Sequence, residues 1–393
     1  LISERSRRLP PFYAMEILER AHVHEARGEH IIHLEIGEPD FPTPQPIVDA
    51  AVEALEGGHT RYTHSLGIMP LREAIAADYE REYGVEVSPE NILVTNGTSP
   101  AMMLIFAALL EPGQEIMFSD PCYACYPNIA EFVDAVPRYV PVAEHDAFKY
   151  RPEHIEAAMN PNVKAIMINS PANPTGTVLS GDDISRIVGA AGDAFVISDE
   201  IYHGLNYEGK EHTALEYTDR CFVLNGFSKR YAMTGWRLGY IISPPEFVRP
   251  MQKIQQNLLI CANSFVQWAG IVAFEKGRPY VEQMVATYDE RRRFILEKLR
   301  GLGFGVECDP TGAFYVLANA KHLTGDSLSF CIEVLENARV ALTPGIDFGA
   351  GGEGYVRFSY ANSIDNISEA MDRLESFLAE RDEKATPPQG GDK

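Results

Sequence analysis

The sequence predicts an α/β protein: a large domain on a mainly parallel sheet covered by helices on both faces, joined to a smaller α+β domain. Three observations carry this reading. The chain has 393 residues, more than one ordinary hydrophobic core holds, so two domains are expected. Short apolar runs alternate with helical patterns through its middle, the mark of strand–helix–strand crossovers. Past residue 300 this regular alternation gives way to a different texture.

The elements follow in order. Residues 13–27 have a helical pattern ending at Gly28, and HIIHLEIGEPDFPTP (30–44) reads as a strand breaking into a Pro/Gly loop. Helices are expected at 46–56 and 70–83. NILVTNGTSP (91–100) is a strand feeding a helix at 100–110, and EIMFSDPCYACYP (115–127) one feeding a helix near 127–134. KAIMINSPANPTG (164–176), a helix at 180–191, AFVISDEIYHG (194–204) and CFVLNGFSK (221–229) continue the alternation. Helical patterns dominate 246–275 and 280–300. GFGVECDPTGAFYVLANA (303–320), a helix at 326–338, VALTPGIDFG (340–349), YVRFSYA (355–361) and a helix at 365–381 form the smaller unit. The expected division is a large domain at 46–280, a small domain from 1–45 and 281–381, and a disordered tail at 382–393.

Composition excludes several classes. Lys+Arg minus Asp+Glu is 34 − 56 = −22, a surface that repels nucleic acid and anionic membranes. A phosphate or carboxylate ligand then needs a local basic pocket. The longest apolar run, 101–110, falls short of the roughly 20 residues a bilayer needs. The first 21 residues lack a signal-type apolar core, so a cytoplasmic protein is expected. Six scattered cysteines read as reduced thiols, and the CxxC at Cys122 and Cys125 has no second pair to complete a metal site. GLGFG (301–305) follows a helix, unlike a dinucleotide-binding turn, and GAGGEG (349–354) reads as a mobile loop.

Ligands of open α/β sheets bind beyond the carboxyl ends of the strands, and those ends carry chemistry here. Asn96, Gly97, Thr98 and Ser99 open a helix, as an anion cup or as a simple N-cap. Tyr123 can stack on a flat ligand or fill the core. Asn173 offers a donor and an acceptor, or builds a turn with Pro174 and Gly176. Asp199 directly follows an apolar strand; the nearest cations in sequence are Arg186 and Lys210, and a protonated ring nitrogen would serve as its partner. Tyr202 is three residues on. Lys229, among small residues on a strand-end turn, can be desolvated into a nucleophile, and Arg237 can clamp a phosphate. One ligand meets all these demands: a flat ring with a basic nitrogen, a phosphate and an aldehyde, which is pyridoxal phosphate.

GFSKRYAMTGWRLG, NSPANPTG, SDEIYHGLNYEG, IGEPDF, RYTHSLGIMPLREAIA and VRFSYA strongly resemble, in order and spacing along the chain, the motifs of the fold-type I pyridoxal-phosphate aminotransferases, in the class I/II group that includes bacterial aspartate aminotransferases. The likeness covers about residues 10–380 and implies a seven-stranded sheet. It implies that Lys229 bonds the cofactor aldehyde and then shuttles a proton between substrate and cofactor. It implies that Asp199 pairs with the ring nitrogen, Tyr202 and Asn173 bind the phenolic oxygen, and Tyr123 stacks on the ring. Gly97, Thr98, Ser99, Ser228 and Arg237 would hold the phosphate, and Tyr62 would reach the phosphate in the other subunit of a homodimer. Arg357 would bind the substrate α-carboxylate with Gly37 and Asn173 nearby, and residues 310–314 would belong to the closing small domain.

The implied activity is transfer of an amino group from an L-amino acid to a 2-oxo acid, 2-oxoglutarate foremost, by a ping-pong route. A pyridoxal-phosphate C–S lyase is the alternative on the same residues. A ligand-sensing regulator domain is disfavoured by the charge and by the lack of a basic helix-turn-helix extension. Two departures stand out. Gly226 replaces a hydroxyl residue common in relatives. Pro10, Pro11, Phe12 and Tyr13 stand where aspartate-specific relatives carry small hydroxyl residues, which points to an apolar or aromatic donor.

Overall fold

The computed structural model describes residues 2–385. Its strands are β1 Ile32–His33, β2 Ile92–Thr95, β3 Glu115–Asp120, β4 Val136–Pro141, β5 Val163–Asn169, β6 Phe195–Asp199, β7 Cys221–Gly226, β8 Gly239–Ile242, β9 Tyr315–Asn319, β10 Val340–Ala341, β11 Thr343–Pro344 and β12 Tyr355–Ser359. Seven of them form one sheet in the order β2-β8-β7-β6-β5-β3-β4. Only β8 runs against its neighbours, β7 and β2; the other pairings are parallel. The strands read as near-continuous apolar runs because helices cover both faces, and two buried clusters, one around Val94, Ile166 and Val223 and one around Ile105, Phe118 and Phe222, fill the two sides.

Two strands were not legible in sequence. β4 carries Pro137 and Pro141 and lies at the sheet edge, where a missing N–H is tolerated. β8 has four residues and follows a turn, so its pattern is too short to stand out.

Register at β8 brings distant segments together. Gly239 pairs with Thr95 on one side and Gly226 on the other. A Cβ on Gly239 would lie 2.8 Å from the Gly97 carbonyl carbon, and one on Gly226 would lie 2.9 Å from the Leu238 oxygen. Glycine at 226 therefore goes with close backbone approach: a hydroxyl side chain there would require the β7–β8 crossing to open.

The helices at Gln45–Glu56 and Met69–Tyr83 lie within one residue of expectation. The helix near 127–134 begins earlier, at Cys125–Phe132. The last helix, Ile364–Ala385, runs four residues past its expected end, so residues 382–385 belong to it and not to a tail; residues 386–393 lie outside the described residues. The smaller sheet is β11-β12-β9, antiparallel. The expected strand at the start of HIIHLEIG shrinks to β1, paired with β10. A third cluster, including Ile17, Leu34, Tyr288, Phe314, Val334 and Phe358, packs these elements.

The glycine run 349–354 holds a tight turn, Ala350–Gly352. Gly351 N donates to Asp120 Oδ1 at 2.8 Å, and a Cβ on Gly351 would meet the Asp120 backbone at the same distance. Its glycines thus serve close packing against the end of β3. All six cysteines are free. No described helix is long and apolar enough to cross a membrane.

Candidate active site

A cavity of about 310 Å³ opens beyond the carboxyl ends of β2, β6 and β7. Gly37, Thr98, Ser99, Tyr123, Asn173, Asp199, Tyr202, Ser228, Lys229, Arg237 and Arg357 all line it. Of the expected site residues, Gly97 sits just behind this wall. Tyr62 stands apart, 80% exposed on the surface.

The Lys229 amine donates to the Gly37 carbonyl. Burial pushes its pKa down to about 8; Glu38 opposes this, while Arg357 and Arg237 push the same way. The neutral amine is thus accessible near physiological pH, as a nucleophile requires.

Asp199 ends β6 with 4% exposure. Its Oδ2 accepts from the Tyr126 hydroxyl at 2.7 Å and its Oδ1 from Ile201 N at 3.1 Å. Burial lifts its pKa to about 6, against those two bonds and the charge of Lys229. No ion pair forms with it among the described residues. A buried carboxylate in this position is suited to a cation brought by a ligand.

Arg357 is 2% exposed and lies between the rings of Tyr315 and Phe348, 4.4 and 5.1 Å from their centres. Its Nη1 donates to Asn173 Oδ1 at 2.9 Å; its Nη2 donates to the Glu35 carbonyl and to Thr343 Oγ1. Nε has no partner. This is a held guanidinium with donor capacity left, the form that recognises carboxylates. Tyr202 and Tyr315 share a hydrogen bond between hydroxyls at 2.7 Å. A Cβ at position 37 would lie 2.6 Å from that Tyr315 hydroxyl, which explains the glycine.

The end of the cavity beside Arg237 is built by backbone. The helix Thr98–Leu109 begins after Gly97, whose φ is 98°, and no side chain caps it. The simple N-cap reading of Thr98 or Ser99 is therefore not realised: both lie within the first turn, and its N–H groups remain for an anion. Arg237, with φ 56°, donates from Nη1 to Thr234 O at 2.9 Å. A Cβ on Gly97 would run into the Arg237 guanidinium. Asn96 Oδ1 is buried beside this cup without a partner.

These features fit pyridoxal 5′-phosphate on chemistry alone: a partly neutral amine for its aldehyde, a buried carboxylate for its ring nitrogen, and a glycine-backed cup with an arginine for its phosphate. The model of the family described as aminotransferase class I and II matches residues 29–374. The chain belongs to this family. A (5-formylfuran-3-yl)methyl phosphate transaminase of Methanocaldococcus jannaschii is 40% identical over 96% of this chain and 100% of its own length. An aspartate aminotransferase of Thermotoga maritima is 37% identical over 97% and 100%. The solved aspartate aminotransferase of Thermus thermophilus with maleate superposes with a TM-score of 0.92, at 35% identity, over 96% and 100% of the two chains. The protein is an aminotransferase that depends on pyridoxal phosphate.

Sequence reasoning missed three groups that shape this aminotransferase site. Tyr126 and Tyr315, which bond Asp199 and Tyr202, fall in the middle of apolar stretches and read as core. Asp347 accepts from Tyr13 N at 2.9 Å and Ala14 N at 3.1 Å, capping the helix Tyr13–Glu25 from 333 residues away. No local spacing could reveal that cap.

Proposed function

We propose that the enzyme transfers the amino group of an L-amino acid to a 2-oxo acid, 2-oxoglutarate foremost, by a ping-pong route in a homodimer with shared active sites. The observation that carries this reading is the meeting of the Lys229 amine, the Asp199 carboxylate and the Arg357 guanidinium in one cavity. The bound cofactor supplies an electron sink for the electrons released at the substrate α-carbon.

The chain's own residues do the rest. Arg357, held by Asn173, Glu35 and Thr343, orients the substrate through its α-carboxylate. The Lys229 amine, whose pKa burial lowers to about 8, would accept the α-carbon proton in its neutral form and hold it for transfer. Asp199 would pair with the ring nitrogen and keep it protonated. Tyr202 and Asn173 would bind the ring oxygen, and Tyr123 would cover the ring face. Gly97, Thr98, Ser99, Ser228 and Arg237 would hold the phosphate.

Support for the dimer comes from Tyr62, together with Leu258 and Ile260 at 66% and 45% exposure. Cys261 accepts from Thr63 N, which places these two segments side by side. Burying them against a second copy would bring Tyr62 to the partner's phosphate. We also place the protein in the cytoplasm. The large domain is taken as 46–280, and the small domain as 1–45 with 281–381.

The donor is proposed to be apolar or aromatic. Phe12, Met15, Leu18 and Ile36 line the cavity. Among the described residues, its only Lys or Arg side chains are Lys229, Arg237 and Arg357. The N–H groups that start the helix Tyr13–Glu25 are taken by Asp347, so they do not serve a second substrate carboxylate. The exposed Arg61 beside Tyr62 gives a second copy the means to supply that charge to 2-oxoglutarate.

The test is product analysis on the loaded enzyme with a donor panel, with and without 2-oxo acids. Acceptor-dependent release of a 2-oxo acid supports transfer; ammonia and pyruvate without acceptor mean the lyase. Near-normal turnover by Lys229→Ala overturns the central assignment.

A further inference from the structure

Glu144 holds a carboxylate that none of these roles uses. It sits in the turn after β4 and is 7% exposed. All the donors to its side chain come from much later in the chain. Oε1 accepts from Glu307 N at 3.0 Å; Oε2 accepts from Asn319 Nδ2 at 3.1 Å and from the Tyr355 hydroxyl at 3.2 Å. Its backbone carbonyl accepts from Cys308 Sγ at 3.4 Å. The turn itself is held in an uncommon shape: Ala147 and Phe148 take φ of 52° and 56°, the left-handed region that side chains disfavour. Backbone stays in that region only where its surroundings hold it there.

Asn319 and Tyr355 face each other across β9 and β12, and two residues along the same strands Leu317 faces Arg357. Side chains two apart on a strand share a face of the sheet. Glu144 therefore grips the face that carries Arg357. Tyr315, on that same face, has its ring centre 4.4 Å from the guanidinium. Rings reinforce the grip. Phe148 meets Tyr355 edge-on at 5.8 Å, and both pack with Leu317 and Phe348, the second ring beside Arg357. The other side of the turn leads to the same arginine. Ala147 O accepts from Thr177 Oγ1 at 2.8 Å, Thr177 O accepts from Ala172 N at 2.9 Å, and the adjoining Asn173 accepts from Arg357.

We propose that Glu144 is a positioning residue for Arg357: by bonding Asn319 and Tyr355 it fixes where β9 and β12 hold the guanidinium that meets the substrate carboxylate. Glu144 does not line the cavity, so it acts through these strands and not on the substrate. The inference rests on the aminotransferase reading of the cavity. Amino donor and 2-oxo acid both present a carboxylate to Arg357, so loss of Glu144 weakens every substrate by a common factor and leaves their ranking unchanged.

Three variants of the holoenzyme test it. Glu144→Leu removes every side-chain bond at similar size, Glu144→Gln keeps one acceptor oxygen, and Tyr355→Phe removes a single hydroxyl. A misplacement of about 1 Å at a binding group costs up to about 100-fold. KM for amino donors and 2-oxo acids should rise about 10- to 100-fold in Glu144→Leu with kcat within about threefold, the pattern of binding lost equally from ground and transition states. Glu144→Gln should show a smaller rise. Tyr355→Phe should raise KM on its own and add nothing to Glu144→Leu. A readout without turnover is competitive inhibition by 3-phenylpropanoate, a carboxylate with no amino group, which should weaken by the same factor as KM. Cofactor affinity, titrated on the cofactor-free protein, should stay within about twofold, as expected of an independent site. An unchanged KM in Glu144→Leu, or in Glu144→Gln where the leucine variant does not fold, overturns the role of Glu144. So does cofactor affinity that falls along with KM, the sign of general damage, or a change in the ranking of donors. Absence of transfer from every donor by the wild type sinks the activity reading, and this inference falls with it.

Discussion

Replacing Asp199 by asparagine should stabilise the cofactor-free protein while disabling the enzyme. Burial lifts the Asp199 pKa from 3.8 to about 6. At 1.36 kcal/mol per pKa unit, this corresponds to about 3 kcal/mol spent on keeping the charge in the fold at neutral pH. Because the folded-state pKa is the raised one, the folded chain binds this proton more tightly than the unfolded chain. Stability is therefore lost as pH rises from about 4 to about 6, and the loss is complete above that. Asparagine keeps the shape but weakens one of the bonds from Tyr126 and Ile201, which costs about 1 kcal/mol. The net expectation is about 2 kcal/mol of added stability above pH 7, shrinking as pH falls towards 5. The assay is the melting temperature of cofactor-free variant and wild type across pH 5–8. In the loaded enzyme the same change would break the proposed charge pair with the ring nitrogen, at a cost of about 3–5 kcal/mol, so kcat/KM should fall by about two to four orders of magnitude. A variant less stable than wild type at every pH would refute the burial argument; one with wild-type turnover would refute the ring-nitrogen pairing.

Three further outcomes follow from the same geometry. The Lys229 pKa is pushed down to about 8, so its neutral fraction grows roughly tenfold from pH 6 to 7 and levels off above about 8; the rate of covalent cofactor attachment, followed by absorbance, should do the same, and a flat profile contradicts the assignment. Gly97→Ala forces a Cβ into the Arg237 guanidinium at a φ of 98°; losing one charged phosphate contact should weaken cofactor binding by about 10- to 150-fold, measured by titration of the cofactor-free protein. Asp347→Ala frees two N–H groups at the start of the helix Tyr13–Glu25, costing about 1–2 kcal/mol; because Phe12 and Met15 ride on that start, KM for large donors should rise more than kcat falls, and a kcat loss alone would place Asp347 elsewhere in the mechanism.

The contrast between what could and could not be read from sequence has a physical cause. Lys229, Asp199 and Thr98 each follow an apolar run, and in a parallel sheet that position is already an address: the strand ends converge on one edge, as the pairing of Gly239 with both Thr95 and Gly226 shows. Period and position thus carried the strand-end side of the cavity. The opposite side, where we propose that the substrate binds, is assembled differently. Its walls come from the start of the helix Tyr13–Glu25, the exit of β1 and β12, joined through Asp347 and Arg357 across more than 300 residues of chain. Those partners obey no local spacing. A scaffold of this kind can change its amino donor without altering the motifs at its strand ends, because the residues that meet the donor are set by long-range packing.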